Sequence, residues 1–184
     1  MSNAALDAIF TRRSHRAYTA QKVDDETVTL LARAALAAPS GSNAQPVNVI
    51  VLQNLPLILE MERAVVDYFV RAGDEAVLER IKKRNNKIFY DASTVFFLAV
   101  KNKAAVDAGI MSENLAIAAT SLGLANIILG LPGVVFNDPA SAAYWKEKLR
   151  FPEGYEYGLA VAVGYAAGEG KPHDIDLGKL SYIR

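Results

Sequence analysis

The chain contains no cysteine. Disulfides, thiolate metal sites, iron–sulfur clusters and a cysteine nucleophile are excluded with it. Histidine is nearly as scarce. His15 and His173 are the only two, and no H-E-x-x-H pair exists, so neither a catalytic zinc nor any other metal site is expected. A charge surplus is missing too: Lys plus Arg number 20, Asp plus Glu number 20, and the net charge is +0. Duplex nucleic-acid binding rests on excess Lys and Arg, as does attachment to an anionic membrane surface, so neither partner is expected. There is no G-x-G-x-x-G, Gly170-Lys171 lacks P-loop spacing, and no serine sits in G-x-S-x-G. A dinucleotide-binding Rossmann unit, a P-loop and a hydrolase nucleophile elbow therefore lack support. The N-terminal residues include Asp7 and show no basic region followed by an apolar stretch. They do not read as a signal peptide, and a cytoplasmic location is expected. The longest uncharged stretch, Asn114 to Asn137, is interrupted by Gly123, Asn126, Gly130, Pro132 and Gly133. It reads as a buried helix, a turn and a buried strand rather than a membrane span.

What is present suits one domain spanning 1–184, since 184 residues at 52% apolar content can bury a sizeable core. Residues 3–11 predict a short helix, with Asn3 as cap and Leu6, Ile9 and Phe10 on one face. Asp24, Asp25 and Glu26 load the positive end of a second helix whose stripe is Val28, Leu31, Ala32, Ala35 and Leu36, with Pro39 past its end. Val47 to Gln53 predicts a strand. Asn54 and Pro56 open a third helix, and Asp74 caps a fourth running to about Tyr90. Thr94 to Val100 is a continuous apolar run and predicts a central strand. Ala104 to Leu122 predicts a long helix, apolar nearly all round, ended by Gly123. Ile127 to Leu129 is a short buried strand. Asp138-Pro139 signals a helix ending near Leu149, and Tyr157 to Tyr165 another strand, before a tail over 167–184. This order predicts an α/β or α+β sandwich in which helices cover a sheet.

Four segments could carry chemistry. Arg12-Arg13-Ser14-His15-Arg16 places three guanidiniums and a hydroxyl at a helix end, which suits a phosphate clamp and equally a solvated basic end facing the helix dipole. Pro39-Ser40-Gly41-Ser42-Asn43-Ala44-Gln45-Pro46 combines small residues with amide and hydroxyl groups, which suits an uncharged polar ligand or an ordinary loop. Ile127 to Gly133 is a strand ending in glycine, where backbone N–H groups can meet a flat ligand. In the tail, Lys171 and His173 could add positive charge, with Asp174 beside them.

Taken in order, these pieces resemble the nitroreductase family of FMN enzymes. Arg12-Arg13-Ser14-His15-Arg16 is similar to its opening signature, and Ala38 to Pro46 followed by a strand to its second. Asn85 lies six residues before Asp91-Ala92-Ser93, where the family has a flavin-contacting Asn. Asp107-Ala108-Gly109, Glu113-Asn114-Leu115-Ala116 and Ser121-Leu122-Gly123-Leu124 resemble its central helix. Phe151 to Tyr155 and Val163-Gly164-Tyr165 resemble its closing strand. The resemblance implies an α+β fold, with a largely antiparallel central sheet flanked by helices, in a homodimer holding FMN at the interface. Arg12 and Ser14, with the neighbouring Arg13, would hold the phosphate, joined by Lys171 and His173. Arg16 would stand near flavin N1 and O2 and stabilise the reduced anion. Asn85 would meet the pyrimidine edge, and the N–H groups of Leu129 and Gly130 would face N5. Pro39, Ser40, Ser42, Asn43 and Gln45 would come from the partner's loop. Two positions depart from the family pattern: Val47 stands where an aromatic is common, and Ile88 where some members carry a second basic residue. The implied activity is hydride transfer from NAD(P)H through flavin N5 to a flat acceptor such as a nitroaromatic or quinone, in a ping-pong cycle. The protein would need no catalytic acid or base of its own. Reductive dehalogenation, flavin breakdown and non-enzymatic FMN storage are the alternatives on the same scaffold.

Overall fold

The computed structural model describes residues 3–184. Helix α1 (Ala4–Thr11) begins where Asn3 Oδ1 accepts the N–H groups of Ala5 and Leu6, at 3.1 and 3.2 Å. Helix α2 (Asp25–Leu36) is capped by Asp24, and α3 (Leu55–Ala72) by Asn54 with Pro56 in its first turn. Between them lie the single turn Gly41–Asn43 and strand β1 (Val47–Leu52). Helix α4 (Glu75–Lys82), strand β2 (Thr94–Val100), helix α5 (Ala105–Ser121) and strand β3 (Ala125–Leu129) follow. Two short helices, α6 (Val134–Asn137) and α7 (Ala142–Lys148), lead to strand β4 (Glu156–Gly164).

The strands form one four-stranded sheet in the order β1-β2-β4-β3, and every neighbouring pair is antiparallel. The fold is therefore α+β, with helices on both faces. Because side chains alternate along a strand, β2 feeds both faces. Val95 and Phe97 pack toward α3, α4, α6 and α7, whereas Phe96 and Leu98 pack toward α2 and α5. That double burial explains why β2 reads as an unbroken apolar run. On the first face Phe97 stands between the rings of Phe89, Phe136 and Tyr157. Among the described residues no helix is long and apolar enough to cross a membrane.

Three expectations need correction. The fourth helix stops at Lys82, not near Tyr90, because Asn85 and Asn86 take left-handed conformations, with φ of 53° and 57°. The last helix starts at Ala142 rather than Pro139. Asp138 instead closes α6, and its carbonyl accepts the N–H groups of Ser141 and Ala142. Leu36, expected in the stripe that α2 buries with Val28, Leu31 and Ala35, is exposed at the end of that helix, and Leu6, Ile9 and Phe10, on one face of α1 as expected, are each about half exposed.

Gly158 marks a tight point of the sheet. The pairing of β2 with β4 slips between Leu98 and Ala99, and Gly158 sits at that slip. A Cβ there would stand 2.7 Å from Val100 Cγ1 and 2.8 Å from the Leu98 carbonyl oxygen. Gly158→Ala is expected to cost about 1–3 kcal/mol, as overpacked core positions do. Urea unfolding checks this, and an unchanged midpoint would contradict the packing described.

Candidate functional site

The basic segment leaves α1 and docks on the free edge of the sheet. Ser14 forms a parallel bridge with Asn126 of β3, and the His15 N–H donates to the Asn126 carbonyl at 3.0 Å. The chain then folds back, so that Tyr18 pairs with Ala166. The Tyr18 hydroxyl, buried, donates to the carbonyls of Ala162 and His15. Burial pushes its pKa well above the ordinary phenol value, the Tyr90 phenol adds to that, and the Arg16 guanidinium opposes it. Tyr18 therefore stays a hydrogen-bond donor at physiological pH and pins the turn.

The arginines of the segment have different duties. Arg13 Nη1 donates to the carbonyls of Phe10 and Arg12, both at 2.7 Å, and so closes the C-terminal end of α1. Arg12 makes only a long contact to Glu113 Oε1, at 3.8 Å. Arg16 Nη1 donates weakly to the Ser14 carbonyl at 3.3 Å, and the residue is exposed. Arg13 is thus held by two short backbone bonds, whereas Arg16 makes one long one and Arg12 a single long ion contact.

The tail reaches the same place. A Cβ at Gly170 would lie 2.4 Å from Arg13 Cβ and 3.3 Å from His15 Cε1. Only glycine allows the chain to pass so near the turn, and Lys171 follows directly. His173 lines one hollow of about 250 Å³ with Arg12, Arg13, Glu113 and Ile9.

Strand β3 links this turn to the Gly130 end. Leu129 and Gly130 lie three and four residues beyond Asn126, or roughly 10–14 Å along an extended strand. The Tyr157 hydroxyl donates to the Leu129 carbonyl at 2.7 Å, while its ring stacks on Phe136 at 5.0 Å. Burial raises the pKa of this phenol strongly as well. Asn126 itself is buried; its Nδ2 donates to the Ala116 carbonyl and to Thr120 Oγ1, which ties β3 to α5.

The loop 40–45 stands elsewhere in the same chain. Ser40 Oγ accepts the Gln45 N–H at 2.9 Å, and Gln45 Nε2 donates to Asn43 Oδ1 at 3.0 Å. Ser42, Asn43 and Gln45 all adopt positive φ. Gly41 N–H points to Asp107 at the start of α5, whereas Ser14 lies near Thr120 through Asn126. At 1.5 Å per residue those helix positions are roughly 20 Å apart. Pro39, Ser40 and Gln45 line a small pocket there with Leu36 and Met111. Arg12, which meets Glu113, stands nearer, roughly 9 Å along α5 from Asp107, so the loop and the basic turn occupy different levels of the same helix.

Asn85 lines an open hollow with Asn86, Lys87 and α3 residues Glu62, Arg63 and Asp67. Two residues of this architecture escaped sequence reading. Glu62 accepts the N–H groups of Ile88 and Phe89, and Tyr157 fixes the end of β3. Glu62 carried a signal, since it interrupts the buried stripe of α3, but its partners lie 26 and 27 residues away. Among the described residues, no group of three or more His, Asp or Glu side chains is placed to hold a metal ion.

The sequence and the fold are similar to those of known proteins. The Nitroreductase family profile matches residues 9–165. A nitroreductase with bound FMN from Desulfitobacterium hafniense shares 36% identity and a TM-score of 0.96, with 100% of each chain covered. A nitroreductase with bound FMN from Bacteroides fragilis is 25% identical with a TM-score of 0.88, again over 100% of both chains. An NADPH-flavin oxidoreductase of Vibrio harveyi is 27% identical over 164 residues, covering 89% of this chain and 66% of that protein. With the family profile spanning most of its length, the chain belongs to the nitroreductase family.

Proposed function

We propose that the chain is an FMN-dependent oxidoreductase that takes reducing equivalents from NAD(P)H, and that it works as a homodimer with the flavin held between two copies. The observation that carries this reading is the layout along β3. Ser14, Arg12 and the tail converge at one end, and Leu129-Gly130 lie at the other, roughly 10–14 Å away by strand rise. That spacing matches the reach of a ribityl phosphate between a charged clamp and a flat ring. The residues fit such a ligand. Arg12, Ser14, Lys171 and His173 offer donors to a phosphate, and Gly170 lets the tail run close beside Arg13. Arg13 then serves the turn, through α1, rather than the ligand.

When bound, FMN would supply the hydride chemistry, between NAD(P)H and a flat acceptor such as a nitroaromatic or quinone. The protein's part is placement. Arg16, exposed beside the Ser14 carbonyl, brings positive charge to the cleft and favours an anionic ligand there. Tyr157, by holding the Leu129 carbonyl, fixes which way the backbone of 129–130 faces.

Two observations support the homodimer. The loop 40–45 packs by Asp107 at the start of α5, whereas Arg12 meets Glu113 and Ser14 lies by Thr120, roughly 9–20 Å further along the helix, and a second copy would bring such a loop onto the basic turn. Apolar surface is also left uncovered on α1, α2 and α5: Leu6, Ile9, Phe10, Leu30, Val106 and Ile110 are exposed. Uncovered apolar side chains on three neighbouring helices mark an interaction site.

The visible spectrum of the purified protein tests the proposal. A flavin spectrum that NADPH or NADH bleaches, and that a quinone restores, is expected. A colourless protein that stays colourless after incubation with FMN would overturn it, and bound flavin that neither nucleotide reduces would favour storage or another flavin chemistry.

A further inference from the structure

We infer that Glu62 is a positioning residue for Asn85: its buried carboxylate clamps the turn that would present Asn85 to the flavin's pyrimidine edge. The inference rests on the FMN reading for what Asn85 meets, and on the fold for what Glu62 does.

Glu62 lies on the buried stripe of α3 with Ile58, Met61, Val65 and Phe69, and is 5% exposed. A carboxylate in that position must be compensated. None of the ion pairs found among the described residues includes it. Compensation comes from the backbone instead. The N–H groups of Ile88 and Phe89, successive in the chain, donate to the same oxygen at 2.8 and 2.7 Å. The Lys87 ammonium adds attraction at longer range.

The segment held in this way is the one that needs holding. Asn85 and Asn86 both adopt the left-handed conformation, with φ of 53° and 57°, which L-residues take reluctantly. Upstream, the turn hangs on the end of α4: Asn85 N–H donates to the Lys82 carbonyl at 3.0 Å, and Asn86 N–H to that of Ile81 at 3.1 Å. Downstream, Glu62 catches the chain at the first two residues that enter the core. Glu62 and Asn85 line the same hollow between α3 and the turn. The carboxylate thus sets where the turn ends, and with it where the Asn85 amide can reach.

The test is a double-mutant cycle on FMN affinity, read by quenching of flavin fluorescence with the full chain. Asn85→Ala is expected to weaken binding about 5- to 10-fold, the size of one or two neutral hydrogen bonds. Glu62→Leu should weaken it by a similar factor, and the double variant no further, because the second change acts through the first. Glu62→Gln keeps an acceptor oxygen at the same reach and should restore most of the affinity. Factors that multiply in the double variant would overturn the inference, since a merely structural Glu62 behaves so. If Glu62→Leu does not fold, Glu62→Asp takes its place in the cycle, with the carboxylate withdrawn by one methylene. An Asn85→Ala variant that binds FMN like the wild type overturns the inference through its premise about Asn85. A wild-type protein that binds no FMN overturns the FMN reading itself.

Discussion

Arg12→Gln is expected to weaken FMN binding by about 10- to 100-fold while leaving the unfolding midpoint of the flavin-free protein nearly unchanged. The factor is that of one lost hydrogen bond to a charged group, roughly 1.5–3 kcal/mol. Stability is spared because the ion pair that Arg12 makes among the described residues, to the half-exposed Glu113 at 3.8 Å, is long and solvent-screened. Arg13→Gln should do the reverse. Its Nη1 holds two carbonyls at the end of α1, so removing it should lower the unfolding midpoint, by about 1–2 kcal/mol of stability, and touch FMN affinity less. Flavin titration and thermal unfolding of both variants check the contrast. If Arg13→Gln abolished FMN binding at full stability and Arg12→Gln did not, the division of labour between the two arginines would be wrong.

Gly170→Val should have the second large effect. A Cβ at this position meets Arg13 Cβ at 2.4 Å, and that contact is close to the backbone, so neither chain can yield without moving. The tail is the element free to move, because residues from 171 onward are exposed. Its displacement takes His173 away from the hollow it shares with Arg12, and Lys171 with it. Loss of one or two charge-assisted contacts predicts FMN affinity lower by about 10-fold or more. The core is untouched, so unfolding of the flavin-free protein should change little. A variant that binds FMN normally would show that the tail contributes nothing to the phosphate end.

Much of this molecule is legible in its sequence because the signals are local. Asn3, Asp24, Asn54 and Asp74 each cap the helix expected of them, since an N-cap needs only a side-chain oxygen and the next two or three N–H groups. The run Thr94 to Val100 is the central strand at the bounds its apolar composition predicts. What could not be read is non-local. Nothing near Asn85 announces that α4 must stop at Lys82, because the carboxylate that receives the following N–H groups comes from Glu62, a full helix earlier. The apolar face of α1 is left about half exposed. Periodicity reports that a face is apolar but not which surface, or which chain, will cover it. In the candidate site, the clustering of Arg12, Ser14 and the tail was legible, whereas the diversion of Arg13 to the end of α1 depends on side-chain geometry that no spacing encodes.

In the proposed site Arg12 and Ser14 grip the phosphate of FMN. The most direct measurement compares FMN with riboflavin, which lacks only that phosphate, in titrations of the wild type and of Arg12→Gln. The account predicts that the wild type binds FMN at least about 100-fold more tightly than riboflavin, and that the substitution removes most of this difference. Equal affinity of the wild type for the two flavins would contradict it.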